Sequence, residues 1–523
     1  MSTIAAPLHR LRAPVARFRA LPLTLRVALA IAFLAGFSLA LRTQAIHARY
    51  WIDEGLSVGI SSHPLLDIPG VLRQDGSPPL YYLLLGVWMK VFGHGEADTH
   101  ALSLGFAILL IPVAFAAGRA IFGGRAAWIA AVLAALNPFV TYYAQETRMY
   151  SLVVLLSVAV TSTFVLAFVQ RRRTWLPAFA LALALVLYTH NWALFLAMGT
   201  VAALAALIGI AEDRRALLRD AVLAYGAVAL VYLPWAPSLL FQARHTGAPW
   251  SNPPGPATAM RAVTSLLGGA APAMAFALAV GFGLVAVVAS DRVRSVPGRT
   301  VLAVAAIGVT ALAVAWTVSQ VSPAWALRYL AVLVGPLLLL GAGGLARAGT
   351  LGTVVVVLLA VFWANNTRVD ALESKSNAHT AAVLVRDRLE PGDLVVATHP
   401  EQGPVMHVYL PDGLRWANAM GPVADPQVMD WRDVLERLRA ARPTPTSDAL
   451  VRTLRPGQRL LLVQPIIRSG SWRAPWTKLI RRRAAQWERV LDDDPRLART
   501  LAVPRLRGRA LPRGVRLVLY ERR

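Results

Sequence analysis

The residues best suited to chemistry lie in short polar stretches between apolar segments of the chain. Asp53 and Glu54 are adjacent carboxylates within the sequence YWIDEG at 50–55. Carboxylates beside aromatic residues at the edge of an apolar segment are suited to act as a general base or as ligands of a hard cation. An isolated Asp-Glu pair is also typical of a solvated loop, so these residues alone leave both interpretations open.

Two further stretches contain charged residues that could bind a substrate. Asp75 precedes a Ser-Pro-Pro sequence, which is typical of the start of a helix. Tyr143, Glu146 and Arg148 lie within NPFVTYYAQETRMY at 137–150. Glu146 and Arg148 either pair with each other or belong to a functional site, because placing an ionisable group at the end of a membrane helix costs free energy.

A histidine and an arginine stand at the ends of two later apolar segments. His190 lies two residues before Trp192, where a histidine is more often an interfacial anchor than a ligand. Arg328 precedes Tyr329 at the start of another segment. Its guanidinium either extends towards lipid headgroups or holds a substrate phosphate through paired hydrogen bonds.

These stretches belong to a chain that is too apolar for a soluble protein. Of its 523 residues, 56% are hydrophobic and 15% are charged, whereas about 25% charged residues is usual for soluble domains. The absence of cysteine excludes disulfides, thiolate metal sites and cysteine nucleophiles. The net charge of +25 comes from arginines scattered between apolar runs, not from one basic face, which argues against a nucleic-acid partner. The composition predicts a polytopic α-helical membrane protein.

Eleven apolar segments have lengths suited to crossing a bilayer, which takes about 20 residues. The first continues into an arginine and lacks a small-residue cleavage site, so we expect an anchor and not a cleaved signal peptide. The apolar stretch Pro78–Phe92 falls short of a span, and its aromatic residues predict a helix lying on the outer membrane surface. The eleven segments lie near 22–41, 100–118, 126–141, 149–169, 175–189, 192–210, 216–236, 260–290, 300–319, 329–346 and 350–365.

The distribution of basic residues predicts the orientation of these segments. With the N-terminus in the cytoplasm, 17 of the 25 basic residues up to residue 365 fall on the cytoplasmic side. The polar stretches then lie on the outer face of the cytoplasmic membrane, beginning with a long first loop at about 42–99. The cytoplasmic set comprises Arg10, Arg12, Arg17, Arg19, Arg26, Arg119, Arg125, Arg171, Arg172, Arg173, Arg214, Arg215, Arg219, Arg292, Arg294, Arg299 and Arg347.

The composition changes after residue 365. Residues 366–523 contain 28 basic and 17 acidic residues and no apolar run long enough to span a bilayer. We therefore predict a transmembrane domain at 1–365 and a small extracytoplasmic α/β domain at 366–523. Its strands are predicted at Asp393–Thr398, Arg459–Val463 and Val515–Tyr520, and its helices at Asp430–Ala441 and Trp476–Leu491.

Taken in order, the polar motifs resemble those of the GT-C class of membrane glycosyltransferases. The motifs are the Asp53-Glu54 pair in a long first external loop, D-x-SPPLYYLLL-x-x-W at 75–88, NP-x₄-Y-A-Q-E-x-R-x-Y at 137–150, and RYL at 328–330. They look most like the branch that contains protein O-mannosyltransferases and the lipid A aminoarabinose transferase. The similarity covers residues 20–365 and is most specific over 50–170.

The resemblance implies an inverting enzyme whose sugar donor is carried on a polyprenyl phosphate. Asp53 would be the general base that deprotonates the acceptor. Glu54 and Glu146 would be auxiliary acids, or ligands if a divalent cation such as Mg²⁺ or Mn²⁺ assists the leaving phosphate. Arg148 and Arg328 would hold that phosphate. Metal dependence stays open because the sequence lacks a D-x-D motif at Glu146.

We also expect Asp75, Tyr143, His190 and Tyr329 to contact the substrates. Mannose is the sugar that the resemblance favours, transferred to a glycan, lipid or protein of the cell envelope. A transporter or flippase of lipid-linked sugars is the alternative. It would call for charges inside the membrane helices or for inverted repeats, and the sequence shows neither convincingly. A non-catalytic scaffold that binds wall polymer is a further alternative, and it would tolerate the loss of Asp53.

Overall fold

A computed structural model of the protein describes residues 21–288, 295–466, 473–503 and 514–523. Among these residues, seven helices are long and apolar enough to cross a membrane, and a bent pair makes an eighth if it counts as one span. Four shorter apolar helices accompany them. Each of the eleven predicted segments coincides with one of these elements. The remaining short helix, Leu80–Phe92, is the predicted surface helix. The expected polytopic helical membrane fold is confirmed.

The helices follow one another with short connections. Up to residue 288 the α-helices are Leu23–Arg42, Ile52–Ser61, Ile68–Asp75, Leu80–Phe92, Glu96–Phe122, Gly124–Leu136, Pro138–Tyr143, Tyr150–Phe164, Leu176–Leu187, Ala193–Ile210, Arg214–Tyr232, Ala236–His245, Pro256–Ser265 and Ala270–Val288. From residue 295 they are Val296–Val321, Ala331–Arg347, Gly349–Ala364, Val369–Glu373, Ala378–Val383, Gln402–Tyr409, Val434–Ala440, Pro443–Arg452 and Pro475–Asp492. A π-helical turn occupies Val165–Val169, and 3₁₀ turns occupy Arg173–Trp175, Leu233–Trp235, Leu327–Leu330 and Arg386–Arg388.

Two apolar helices form the centre of the helical bundle. The most apolar parts of Tyr150–Val169 and Leu327–Arg347 are 94% and 78% buried. They approach closely at Gly335, where an added Cβ would lie 2.5 Å from the backbone of Ser157. By contrast, Leu23–Arg42 is as apolar as Leu327–Arg347 but only 6% buried. That helix contributes surface suited to lipid, whereas the central pair forms the core of the helical bundle.

Two predicted spans differ from the structure. The segment 260–290 is a pair of helices bent by 80°. The bend follows from Gly268 and Gly269, both of which have positive φ, a backbone conformation that glycine adopts without strain. The segment 126–141 ends as a helix at Leu136, and the Asn137 side chain then accepts a hydrogen bond from the Val140 amide as the N-cap of a separate short helix.

The predicted surface helix is present as Leu80–Phe92. It buries one face, including Tyr81, Tyr82 and Leu85, and exposes Val91. It therefore packs along one side only, against the helices Ile52–Ser61 and Glu96–Phe122. Its position at the membrane surface stays a prediction.

A mixed sheet follows the last apolar helix. Its six described strands are β1 (Leu394–Ala397), β2 (Arg415–Asn418), β3 (Gly421–Pro422), β4 (Arg459–Ile466), β5 (Leu497–Ala502) and β6 (Gly514–Arg522). Their order is β3-β2-β1-β4-β6-β5, in which β1 pairs in parallel with β2 and β4 and all other pairs are antiparallel. The strands predicted at β1, β4 and β6 are confirmed, since these are the apolar ones.

The sheet contains elements that the apolar pattern did not reveal. β2 and β5 are short and carry arginines, and β5 lies at an edge with partly exposed residues, so neither shows an uninterrupted apolar run. The helix predicted at Asp430–Ala441 begins only at Val434, because Asp433 adopts a left-handed conformation with φ 47°. The predicted helix Trp476–Leu491 is present as Pro475–Asp492.

The part of the chain that contains the sheet packs directly on the first loop. An added Cβ at Gly55 would lie 2.5 Å from Val405 Cα, so glycine is required where these two helices meet. The Tyr409 hydroxyl accepts a hydrogen bond from the Tyr50 amide at 2.8 Å. His63 lies 2.9 Å from the Asp425 carboxylate. Two distant parts of the sequence therefore form one structure around residues 50–60.

Some arginines used for the orientation lie outside the described residues, namely Arg10, Arg12, Arg17, Arg19, Arg292 and Arg294.

The orientation itself can be measured, because the chain contains no cysteine and single cysteines can be introduced at exposed sites. Asp412 and Arg172 are both exposed. We expect Asp412→Cys to react with a membrane-impermeant maleimide in intact spheroplasts, and Arg172→Cys to react only after permeabilisation. The opposite labelling pattern would overturn the predicted orientation.

Candidate active site

The helix Ile52–Ser61 holds the two adjacent carboxylates of the first loop. It begins after Trp51, and Glu54 occupies its third position, where the side chain turns back to the Trp51 amide. Successive residues on a helix point about 100° apart. Asp53 and Glu54 consequently face different surroundings, although they are neighbours in the sequence.

Glu54 lies at the centre of a buried charged cluster. Its Oε1 lies 2.7 Å from His100 Nε2 and accepts a hydrogen bond from the Thr147 amide at 2.9 Å. Its Oε2 accepts a hydrogen bond from Lys375 Nζ at 2.8 Å. The same ammonium donates to Glu146 Oε1 at 3.2 Å. Lys375 thus joins the two glutamates, and all three side chains are almost completely buried.

The charged groups of this cluster shift one another's pKa values. Burial alone would raise the pKa of Glu54, but the Lys375 ammonium and the His100 ring outweigh it and lower that pKa to about 2. Burial would lower the pKa of Lys375, and the two carboxylates raise it instead. Glu54 and Lys375 therefore stay charged at neutral pH, as a mutually compensated pair.

Asp53 faces a different partner and is more accessible. Its Oδ2 lies 3.2 Å from an Nη of Arg328, and both side chains keep about 15% of their surface exposed. The Arg328 guanidinium also lies 5.4–5.6 Å from the ring centres of Trp51, Trp250 and Tyr329. Such an aromatic enclosure stabilises a cation and fixes its plane. Arg328 is therefore held in place beside the one accessible carboxylate of the pair.

A cavity of about 440 Å³ opens next to Arg328. This volume lies in the range of small-molecule binding sites. Its wall combines two arginines and a carboxylate with a large aromatic surface. The lining residues are Trp51, Pro138, Phe139, Tyr142, Tyr143, Glu146, Ser265, Ala326, Leu327, Arg328, Arg368 and Ala371.

Arg148 supports the helix that carries the carboxylates. Its guanidinium donates to Ser57 Oγ at 2.8 Å and to the Asp53 carbonyl at 3.2 Å. Arg148 does not line the cavity. Its described contacts fix the position of Asp53, whereas Arg328 stands where a ligand could reach it.

The remaining aromatic residues of the site pack as one cluster. The Tyr143 ring lies 4.9 Å from that of Tyr150, and the His190 ring lies 4.9 Å from that of Tyr329. His190 Nδ1 accepts a hydrogen bond from the Trp192 amide at 3.1 Å. Burial, together with the nearby arginines, lowers the pKa of His190 to about 3. His190 is therefore a neutral ring at physiological pH.

Asp75 also belongs to this neighbourhood. It ends the helix Ile68–Asp75, and Gly76 follows in a left-handed conformation. Burial raises the pKa of Asp75, while a hydrogen bond from Ser77 and the charge of Arg148 oppose that increase. The charge of Asp53 adds to the increase.

The structure thus brings every residue predicted for the site into one region. Sequence reasoning missed Lys375, His100 and Arg368 as members of it. The rarity of lysine could have drawn attention to Lys375, since the chain has only three lysines among 53 basic residues. His100 lies inside an apolar segment without a motif, and nothing in the sequence relates it to Glu54.

The residues suggested as ligands of a cation are already engaged with protein groups. Among the described residues, no group of three or more His, Asp and Glu side chains is arranged to hold a metal ion. Glu54 and Glu146 share the Lys375 ammonium instead. The donor set therefore does not fit a divalent cation.

Solved membrane glycosyltransferases share the fold of this chain. ArnT from Cupriavidus metallidurans, in a crystal structure with bound undecaprenyl phosphate, matches with TM-score 0.64 and 14% identity over 95% of this chain and 98% of that one. The archaeal oligosaccharyltransferase AglB from Archaeoglobus fulgidus, in complex with an inhibitory peptide and a dolichol-phosphate, matches with TM-score 0.55 and 12% identity over 83% and 68% of the two chains. The arabinofuranosyltransferase AftD from Mycobacteria matches with TM-score 0.53 and 14% identity over 94% and 39%.

The chain therefore has the GT-C fold of membrane glycosyltransferases, as its motifs suggested. No protein-family model matches the sequence, and no curated protein matches it either. At such low identity the solved structures establish the architecture alone. The chemistry must be argued from the residues of this site.

The buried cluster predicts how stability depends on pH. Because the pKa of Glu54 is about 2 in the folded chain and about 4.5 when exposed, its contribution is complete above pH 5 and is lost as the pH falls towards 2. The shift corresponds to roughly 3 kcal/mol. We expect the free energy of unfolding in detergent to fall over this range, and Glu54→Gln to flatten the dependence. The exposed Glu373→Gln variant is the control, and an equally flattened curve for it would contradict the assignment.

Proposed function

We propose that this protein is an inverting glycosyltransferase that moves a sugar from a polyprenyl-phosphate donor to an acceptor of the cell envelope. The observation that carries the proposal is the Asp53–Arg328 pair beside the cavity. It places a partly exposed carboxylate 3.2 Å from an arginine that lines a ligand-sized space. A base and a phosphate-binding cation at that distance suit a displacement at the anomeric carbon of a sugar phosphate.

In the proposed reaction, the donor phosphate binds Arg328 and competes with Asp53 for the guanidinium. Asp53 is thereby released to accept the proton of the acceptor hydroxyl. The acceptor oxygen forms a bond to the anomeric carbon, and the bond from that carbon to the phosphate oxygen breaks with its electron pair. The products are the glycosylated acceptor and the polyprenyl phosphate, whose negative charge Arg328 stabilises.

The other residues of the site take supporting roles in this proposal. Arg148 positions the Asp53 backbone and adds positive potential. Tyr143 and Tyr329 provide aromatic surface for a sugar ring, and Asp75 and His190 complete the polar surroundings of the substrates. Glu54 and Glu146 hold the scaffold of the site through Lys375. The reaction takes place on the outer face of the cytoplasmic membrane if the predicted orientation holds.

A lipid-linked donor agrees with the surroundings of the site and with proteins of the same fold. ArnT and AglB were both solved with a polyprenyl phosphate bound. Nucleotide sugars are not supplied outside the cytoplasm, so a donor used there must arrive on a lipid. We propose mannose as the sugar on the basis of the motif resemblance, and a pentose such as arabinose or aminoarabinose as the second candidate. A transporter or flippase has no comparable use for Asp53 beside Arg328.

The donor class can be tested with purified protein. We expect transfer from polyprenyl-phosphate-linked mannose or from the corresponding pentose donors, and none from GDP-mannose or UDP-glucose alone. Mass spectrometry of the acceptor fraction would detect the product. Transfer from a soluble nucleotide sugar in a preparation free of lipid donor would refute the proposal.

Replacing Asp53, the proposed base, distinguishes an enzyme from a non-catalytic scaffold. Asp53→Asn keeps the size of the side chain but cannot accept the proton, and we expect kcat to fall by about 10²–10⁴-fold with donor binding retained. The exposed Asp67→Asn variant in the same loop is the matched control and should turn over normally. Wild-type turnover by Asp53→Asn would remove this residue from the mechanism.

The phosphate-binding role of Arg328 predicts a different kinetic defect. Arg328→Lys retains the charge but loses the planar pair of donors. We expect the KM for the lipid donor to rise by about 10–100-fold, the size of one lost charge-assisted hydrogen bond. Arg261→Lys, at an exposed arginine, is the control. An unchanged KM in Arg328→Lys would show that the phosphate binds elsewhere.

A further inference from the structure

We propose that Lys375 is the built-in cation of this site, so that transfer proceeds without a bound divalent metal. The consequence for catalysis rests on the proposed function. The structural part does not, because it states only that Lys375 occupies the space between Glu54 and Glu146. Lys375 is a positioning residue in this proposal, because it acts on the site through the two glutamates and does not itself touch the substrate.

The first support is the geometry of the ammonium group. Lys375 Nζ lies 2.8 Å from Glu54 Oε2 and 3.2 Å from Glu146 Oε1. It therefore bridges two carboxylates from separate loops, as a divalent cation would. Its single positive charge is shared between the two carboxylates within a buried environment.

The second support is that the remaining acceptor of Glu54 is also taken. Oε1 faces His100 and the Thr147 amide. Mg²⁺ requires near-octahedral oxygen ligation at 2.0–2.1 Å and usually keeps several waters. A carboxylate whose two oxygens face an ammonium, an imidazole and an amide offers no such position.

The third support is the way the lysine is anchored. Two residues after Lys375, the Asn377 side chain donates to the Val515 carbonyl at 2.9 Å and accepts from the Val515 amide at 2.6 Å. Val515 belongs to strand β6. The sheet therefore fixes the segment that inserts the lysine, and the site is incomplete without the C-terminal part of the chain.

This arrangement separates two tasks that one metal ion could perform together. Lys375 joins the two buried glutamates and keeps their loops in register. Arg328, 3.2 Å from Asp53, is left to stabilise the leaving phosphate. Neither task then depends on a dissociable ion.

The decisive experiment uses the wild-type protein and Mn²⁺ as the probe. We expect electron paramagnetic resonance to detect no Mn²⁺ bound at this site, and the midpoint of thermal unfolding to be unchanged by EDTA or by added Mg²⁺. One bound Mn²⁺ per chain that disappears in Glu146→Gln would overturn the proposal, as would a drop in the midpoint on chelation. These measurements need no substrate, so they decide the structural part even if the donor proposal fails.

The activity measurements test the catalytic consequence. Wild-type turnover should be unaffected by EDTA. Lys375→Met should lower kcat by about 10²-fold or more, the cost of displacing a reacting group by about 1 Å, and Lys375→Arg should recover part of the loss. Lys478→Met, at an exposed lysine, is the control and should match the wild type. Loss of wild-type turnover on chelation, restored by Mg²⁺, would refute metal independence while leaving glycosyl transfer intact.

A milder variant covers the case in which Lys375→Met does not fold. Asn377→Ala keeps the lysine but removes both hydrogen bonds to strand β6. We expect a folded protein with lowered kcat and an unchanged KM for the donor, because the glutamates shift while Arg328 does not. An unchanged kcat would show that the sheet does not position the lysine.

Discussion

The architecture of the site depends on the compensation of buried charge. Two glutamates with almost no solvent exposure would be prohibitively costly if they were ionised without partners. Lys375 and His100 provide those partners at 2.7–3.2 Å. Because Glu54, Glu146 and Lys375 come from three distant parts of the chain, this one requirement holds together the first loop, the stretch 137–150 and the segment before the sheet.

The same compensation explains why two neighbouring carboxylates have different surroundings. Glu54 points into the cluster, where its charge is locked. Asp53 points about one quarter of a helical turn away, towards Arg328, and keeps some contact with solvent. In the proposed mechanism, the rigidly held carboxylate of Glu54 supports the reactive carboxylate of Asp53. Preorganisation of this kind reduces the reorganisation that a polar site undergoes during reaction.

The helical scaffold below the site follows simpler rules. Apolar helices in a bilayer are selected for length and for packing, and many apolar sequences satisfy both requirements. This explains how the chain shares the fold of ArnT over 95% of its length at 14% identity. It also explains why the informative residues are few and lie in the loops, where the polar groups meet.

The sequence by itself determined the class of protein, the approximate positions of the apolar helices, the three apolar strands and the polar motifs of the site. Those features follow from local composition and periodicity. Only the tertiary structure decided that a lysine more than 200 residues from either motif joins Glu54 to Glu146, and that Arg328 faces Asp53 and not Glu54. Local patterns carry no information about such pairings. The pairings are selected by the packing of distant segments and by the free-energy cost of a buried charge that has no partner.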